Sequence, residues 1–386
     1  MKCVQNDKLQ TLGLAILVSS NSLAAVLSFG GAYYLVISVC ILICVLGRKF
    51  SYQSALTAII ILVVYCLISG LVNSGSSSSS SPIEYHYGLF CLSYGLALYT
   101  GNIKIDILSF FKCMVTIGLV CAPMLFLKAR ALAALVFTLE SDSGTMMGMT
   151  YAIVPSILSA FSLLILKSGI KWKVLSVILI VVLSIILLQI GSRGAFIVFL
   201  VFFMLLVGTI IIRKSIYKIL FFSMFGLLAA IVVANFDNYL LALDDMLGSR
   251  GYSVYAVSKA VNKMGEDSFS NGRIEIWHVA IIGFLENPFG HWVGSFEEQF
   301  DLHQHNFVLQ MMWEFGLLGL IMAVSIIGKS LIRLFDKRKC REEHFFIITI
   351  FCSSIIILMY SGTFWMLPCF WIWLRIIKNK IQFNYV

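Results

Sequence analysis

Charge is scarce in this chain. Only 12% of its 386 residues are Asp, Glu, Lys or Arg, too few to cover a soluble domain of that length. Its apolar runs do not alternate with polar residues, which excludes barrel strands. The ten cysteines contain no CxxC pair, and none lies between Asp237 and Gln304. Neither a disulfide framework nor a cysteine metal knuckle is therefore implied. There is no glycine-rich nucleotide loop, Walker motif or DxD motif, so nothing points to a nucleotide-bound substrate. The first apolar run lacks a small-residue cleavage site and reads as an uncleaved first helix.

What is present is apolar span after apolar span: 60% of residues are hydrophobic and the mean hydropathy is +0.95. Runs of about 17–23 residues match helices that cross a bilayer. The reading is an all-α polytopic membrane protein with about 12 transmembrane helices and a large periplasmic loop between spans 9 and 10. The spans fall near Thr11–Phe29, Ala32–Leu46, Ala55–Val72, Tyr85–Tyr99, Leu108–Phe126, Met146–Leu166, Val174–Ile190, Ala195–Ile212, Ile219–Ala234, His305–Ile327, His344–Tyr360 and Phe364–Ile376. Three regions result: spans 1–9 in residues 1–235, the loop with short amphipathic helices in 236–304, and spans 10–12 with a basic tail in 305–386.

Positive residues sort by connector. Lys2 and Lys8 precede the first span, and Arg48 and Lys49, Lys104, Lys167 to Lys173, Arg213 to Lys218, Lys329 to Arg341 and Arg375 to Lys380 occupy every second connector after it. That is the positive-inside pattern, and it places both termini in the cytoplasm. The net charge of +9 is thus a topology signal and not a nucleic-acid footprint. On the outer side lie a Ser-rich linker at Asn73–Pro82, a loop at Lys128–Thr145, the turn at Gly191–Gly194 and the segment Phe236–Gln304. That last segment is acidic in balance, so Arg250, Lys259, Lys263 and Arg273 within it need a local reason. Ser253–Met264 and Gly272–Leu285 read as helices there. The second has Ile274, Trp277, Ile281 and Leu285 on one face, and Asn287-Pro288 stops it. Gly290 and Gly294 beyond it permit positive φ or close backbone approach.

Candidate chemistry gathers at the outer boundary. Arg193, between two glycines, is an interfacial anchor or a forked ligand for phosphate oxygens. Arg273 starts a helix, where free N–H groups also favour an anion; alternatively it is an exposed first-turn residue beside Glu275. His305 caps the tenth span, as an anchor or as a neutral imidazole that takes a proton from a hydroxyl. His303, two residues away, does not share a helical face with it, so no metal pair is implied. Glu314, about nine residues into the span, is a functional carboxylate or a hydrogen-bonded link between helices. His278, His291, Trp292, His86 and Glu84 are weaker candidates.

GSRGAFIVFL (Gly191–Leu200), NGRIEIWHVAIIGFLENPFG (Asn271–Gly290) and HNFVLQMMWEFGLLGL (His305–Leu320) together resemble the O-antigen ligase and polymerase superfamily of bacterial envelope enzymes. Gly290–Phe296 departs from the denser glycine run of that family. The resemblance implies a GT-C-like architecture and a metal-independent, cofactor-free glycosyltransferase on the periplasmic side of the inner membrane. Its donor would be a glycan on undecaprenyl diphosphate. Its acceptor would be another lipid-linked repeat unit in a polymerase, or a lipid A-core sugar in a ligase. Arg193 and Arg273 would hold the diphosphate and His305 would activate the acceptor. Arg250, Asn306, His303 and Trp277 would contact substrate. Membrane lipids and a chain-length regulator would be partners. The locally diverged loop inclines the reading to the polymerase. A lipid-linked glycan transporter is the alternative outside enzymology; it should show broken helices, inverted repeats and midplane charges.

Overall fold

The computed structural model describes residues 2–27, 104–136, 143–190, 193–211, 273–300, 303–336, 339–361, 363–378 and 381–384, with a few single positions besides. The expected spans Ala32–Leu46, Ala55–Val72, Tyr85–Tyr99 and most of Ile219–Ala234 fall outside them. So do the Ser-rich linker, the Ser253–Met264 helix, His86, Glu84 and Arg250.

In the described part, helices dominate. Four are long and apolar enough to cross a membrane: Ile107–Arg130, Gly148–Ile165, Ile170–Leu187 and Phe307–Leu334. In chain order, α1 (Lys2–Val18) and α2 (Ser20–Leu27) precede a short strand β1 (Lys104–Asp106). Then come α3 (Ile107–Val136), α4 (Ser143–Ile165), α5 (Ile170–Ile190) and α6 (Arg193–Leu206), which continues into a π turn at Val207–Ile211. α3, α4 and α5 pack on one another, and α1 lies against α3. Asp106 caps α3 by accepting from the Leu108 and Ser109 amides at 3.1 and 3.2 Å. Gly118 lets α3 approach α4 and α5 closely: a Cβ there would sit 3.0 Å from both Ser156 and Leu179. Hydroxyls in this apolar core turn back onto their own helix, as Ser159 does to Pro155 O and Ser162 to Leu158 O.

From residue 273 onward come α7 (Arg273–Glu286), α8 (Ser295–Phe300), α9 (Phe307–Leu334) and α10 (Arg341–Phe351), which widens into a π turn at Cys352–Ile356. A 3-10 turn at Phe364–Met366, α11 (Pro368–Ile377) and β2 (Gln382–Asn384) close the chain. β2 pairs in parallel with β1, so a two-stranded sheet joins the otherwise helical fold. Three-residue strands are too short to register as a sequence period, so the all-α expectation missed them.

Other expectations need correction. The first span is two helices, broken at Ser19 within a run of Ser and Asn. Lys128 and Arg130 are helical and not in an outer loop, because the Ala-Leu-rich run after them extends α3 to Val136. The helix entered at His305 starts at Phe307, reaches Leu334 and is broken at Gly316 (φ 60, ψ −141). Its 28 residues would span about 42 Å, longer than a hydrocarbon core of about 30 Å. Exposed apolar side chains begin only past the break, with Leu317, Leu318, Ile321, Met322 and Val324. The stretch from Leu317 to Leu334, about 27 Å, matches the bilayer. The first half-helix, Phe307–Phe315, instead packs against α7.

Candidate functional site

The site is built around that first half-helix. Breaking α9 at Gly316 strips carbonyls and an amide of their helical partners, and the loop after α7 supplies replacements. His291 N donates to Trp313 O at 2.7 Å and Trp292 N to Glu314 O at 3.2 Å, while Leu317 N donates to Pro288 O at 2.8 Å. Backbone left unpaired at membrane depth would cost several kcal/mol, by order of magnitude. The loop can reach because Gly290 (φ 95) and Gly294 (φ 77) take left-handed conformations, as the sequence suggested; Trp292 (φ 73) does so without being glycine.

Trp313 is the hub between α7, α8 and α9. Its indole N–H donates to Ser295 Oγ at 2.8 Å, His291 stacks on it at 4.1 Å, and Phe296 meets it edge-on at 5.0 Å. Gly283 of α7 lies against its ring so closely that a Cβ would overlap it. His291 also contacts Gly283 O at 2.9 Å through Nε2, so its role is packing. The buried side of α7 is therefore Ala280 and Gly283, with Ile276 and Val279 alongside. The face that carries Ile274, Ile281 and Leu285 at helical spacing is the opposite one, and these three are exposed. Both faces are apolar, and the small residues decide, because only they admit Trp313.

The extended residues 303–306 run from α8 into α9 and carry the candidate groups. Trp277 of α7 donates its indole N–H to Gln304 O at 3.1 Å, tying this segment to α7. Glu297 of α8 ties it from the other side, through a 2.7 Å contact between its Oε1 and His303 Nδ1. Asn306, not His305, is the N-cap of α9: its Oδ1 accepts from the Val308 and Leu309 amides at 3.0 and 3.2 Å. His305 sits just before the cap with φ 51, a strained value for a side chain of its size.

Arg273 at the start of α7 comes within electrostatic range of His305 and of Tyr360. Burial first, then the Arg273 charge and His303, push the His305 imidazole down to about 4; Glu297 pulls the other way. Its Nδ1 is buried and has no hydrogen-bond partner among the described residues. At neutral pH it is a neutral ring able to accept a proton. Arg273, His305, His303, Trp277 and Asn306 are thus brought together. Arg193 opens α6, but its side chain lies outside the described residues, as does Arg250.

The sequence reading missed Glu297. It sits in a six-residue helix, too short for a periodic signal, among other acidic residues. The signal available was its placement six residues before His303 in a segment bound to fold back on itself.

Glu314 is a link between elements. Gln310 Nε2 donates to its Oε1 at 2.8 Å and to Thr363 Oγ1 at 2.7 Å, and the Trp365 indole donates to its Oε2 at 2.8 Å. Glu314→Ala takes a buried acceptor away from Gln310 and Trp365, so a loss of about 1–3 kcal/mol is expected, with Glu314→Gln milder. Thermal unfolding of the two variants in detergent checks this ordering.

No curated protein matches the chain. A family model does, Wzy_C, described as O-Antigen ligase, over residues 178–324. The matched stretch takes in Arg193, Arg273, Glu297, His303 and His305. Members of that family are glycosyltransferase-like enzymes, and the match supports an O-antigen ligase/polymerase-type glycan-handling function. With its apolar helices consistent with a multi-pass membrane protein, the match over residues 178–324 supports a relation to the O-antigen ligase/polymerase superfamily.

Proposed function

We propose that the chain moves a glycan from undecaprenyl diphosphate to an acceptor sugar hydroxyl on the periplasmic side of the inner membrane, and that its reaction is the polymerisation of O-antigen repeat units. The observation that carries this reading is Arg273 at a helix start with its charge reaching a neutral, mostly buried His305. A guanidinium beside free helix N–H groups suits a diphosphate, and it stabilises the negative charge as that group leaves. Arg193, opening another helix, supplies the second cation. His305 draws the acceptor hydroxyl into position and loosens its proton. Asn306, His303 and Trp277 line the sugar side, and Arg250 is proposed as a further substrate contact. The cations are protein side chains, so the reaction needs no metal.

Ligation to lipid A-core is the second reading, favoured by the description of the matching family. Lipopolysaccharide from a strain lacking the chain separates the two. A core bearing a single repeat is the expected result. A bare core with long lipid-linked chains assigns the chain to ligation instead. An unchanged ladder removes both.

A further inference from the structure

Beside His305 lies a second acid–base pair. Glu297 Oε1 meets His303 Nδ1 at 2.7 Å. The Glu297 side chain is 9% exposed and that of His303 43%. A carboxylate on Nδ1 fixes the ring and the tautomer, with Nδ1 as donor and Nε2 as acceptor. The same carboxylate compensates the charge of an imidazolium as it forms. The His303 and His305 rings stand 6.2 Å apart, centroid to centroid, at 74°.

His305 is poorly placed to keep a proton. It is largely buried and faces Arg273 from α7, and its imidazole is pushed down to about 4. The charged and titratable groups around the two rings are Glu297 on α8, Arg273 on α7 and, reached through Glu297, Glu314 on α9. Among these, Glu297 is the carboxylate in contact with an imidazole.

We propose that His303, held by Glu297, is the terminal acceptor of the proton released by the acceptor hydroxyl during glycan transfer. The proposal rests on the transfer reading above. In the step, the acceptor oxygen bonds to the anomeric carbon of the donor. The bond from that carbon to the diphosphate oxygen breaks, and its electron pair leaves with the diphosphate beside Arg273. The hydroxyl proton, oriented by His305, ends on His303 Nε2. Glu297 is a positioning residue; it touches neither sugar.

The test uses the full chain in proteoliposomes. The substrate is the undecaprenyl-linked glycan that accumulates in a strain lacking the chain. His303→Gln should lower kcat about 100-fold and leave the KM for the lipid-linked glycan within about twofold. Glu297→Gln, which keeps the shape and removes the charge, should lower kcat in the same sense. The double variant should fall no further than His303→Gln alone, because the two act as a unit. A kcat for His303→Gln within twofold of the unaltered chain overturns the proposal. So do losses that multiply in the double variant with a raised KM, the mark of a structural tie. If the unaltered chain transfers and His303→Gln does too, only this proposal is lost. If the unaltered chain transfers nothing, the transfer reading is lost with it.

Discussion

Arg273→Ala is expected to slow glycan transfer about 10²- to 10³-fold, the cost of removing one preorganised group that stabilises developing negative charge, while the protein still inserts and folds. Arg273 is the first residue of α7 and is only half-buried. The packing of α7 on Trp313 is made further along, at Ala280 and Gly283, so truncation opens no core cavity. Arg273→Lys should recover part of the rate, since an ammonium supplies charge but not a bidentate fork. The same variant has a second readout at His305. In a histidine-labelled sample followed by NMR, the unaltered His305 should titrate near pH 4 and be neutral at pH 6. Removing Arg273 should raise that midpoint. It should stay below the ordinary value of 6.5, because burial is the larger cause and remains. The sign also sets the pH window of stability. An unfolded chain protonates His305 near 6.5 and the folded chain resists until about 4. On this account, acid withdraws stability progressively as pH falls from 6.5 towards 4. Wild-type transfer rates in Arg273→Ala, or a His305 midpoint unmoved by it, would remove Arg273 from the site.

How much of this was readable from the chain depends on whether the signal was local. The start of α7 after Gly272 and its stop at Asn287-Pro288 are local, and both hold. The left-handed turns at Gly290 and Gly294 hold for the same reason. Which face of α7 is buried is not a local matter: Ile274 and Ile281 compete with Ile276 and Val279, and a tryptophan from α9 decides between them. The pairing of β1 with β2 joins residues 104–106 to residues 382–384, so no window of sequence contains it. Glu297 became visible only once α8 and the 303–306 segment were folded against each other. Arg273, His303 and His305 stand out in the sequence because a charged or titratable residue in so apolar a chain is itself informative. The carboxylate beside them was hidden among the acidic residues of the loop.

Gly316→Ala should give a large loss of stability for a single methyl added to α9. A Cβ at Gly316 would overlap Pro288 O, on the loop that replaces the broken helical bonds. The backbone there, at φ 60 and ψ −141, belongs to glycine; holding another residue in it costs about 1–3 kcal/mol before any clash. Relief comes only by moving the loop, which forfeits the bonds from Leu317, His291 and Trp292, each worth about 0.5–1.5 kcal/mol net. A total of several kcal/mol is a large share of the about 5–15 kcal/mol that holds a typical domain. Gly328→Ala on the same helix is the matched control. A Cβ at Gly328 meets nothing within 4 Å, and alanine is favoured over glycine in a helix by about 0.5–1 kcal/mol. The two variants should therefore move in opposite directions. Thermal midpoints in detergent, and the fraction recovered as monodisperse protein, measure the difference. The functional consequence follows from the same geometry. Moving the loop releases α7 from the first half of α9, and with it Arg273 from His305. Gly316→Ala should thus lose transfer even in the fraction that folds. Equal midpoints for the two alanine variants would mean that the loop does not hold the break, and that something else sets the approach of Arg273 to His305.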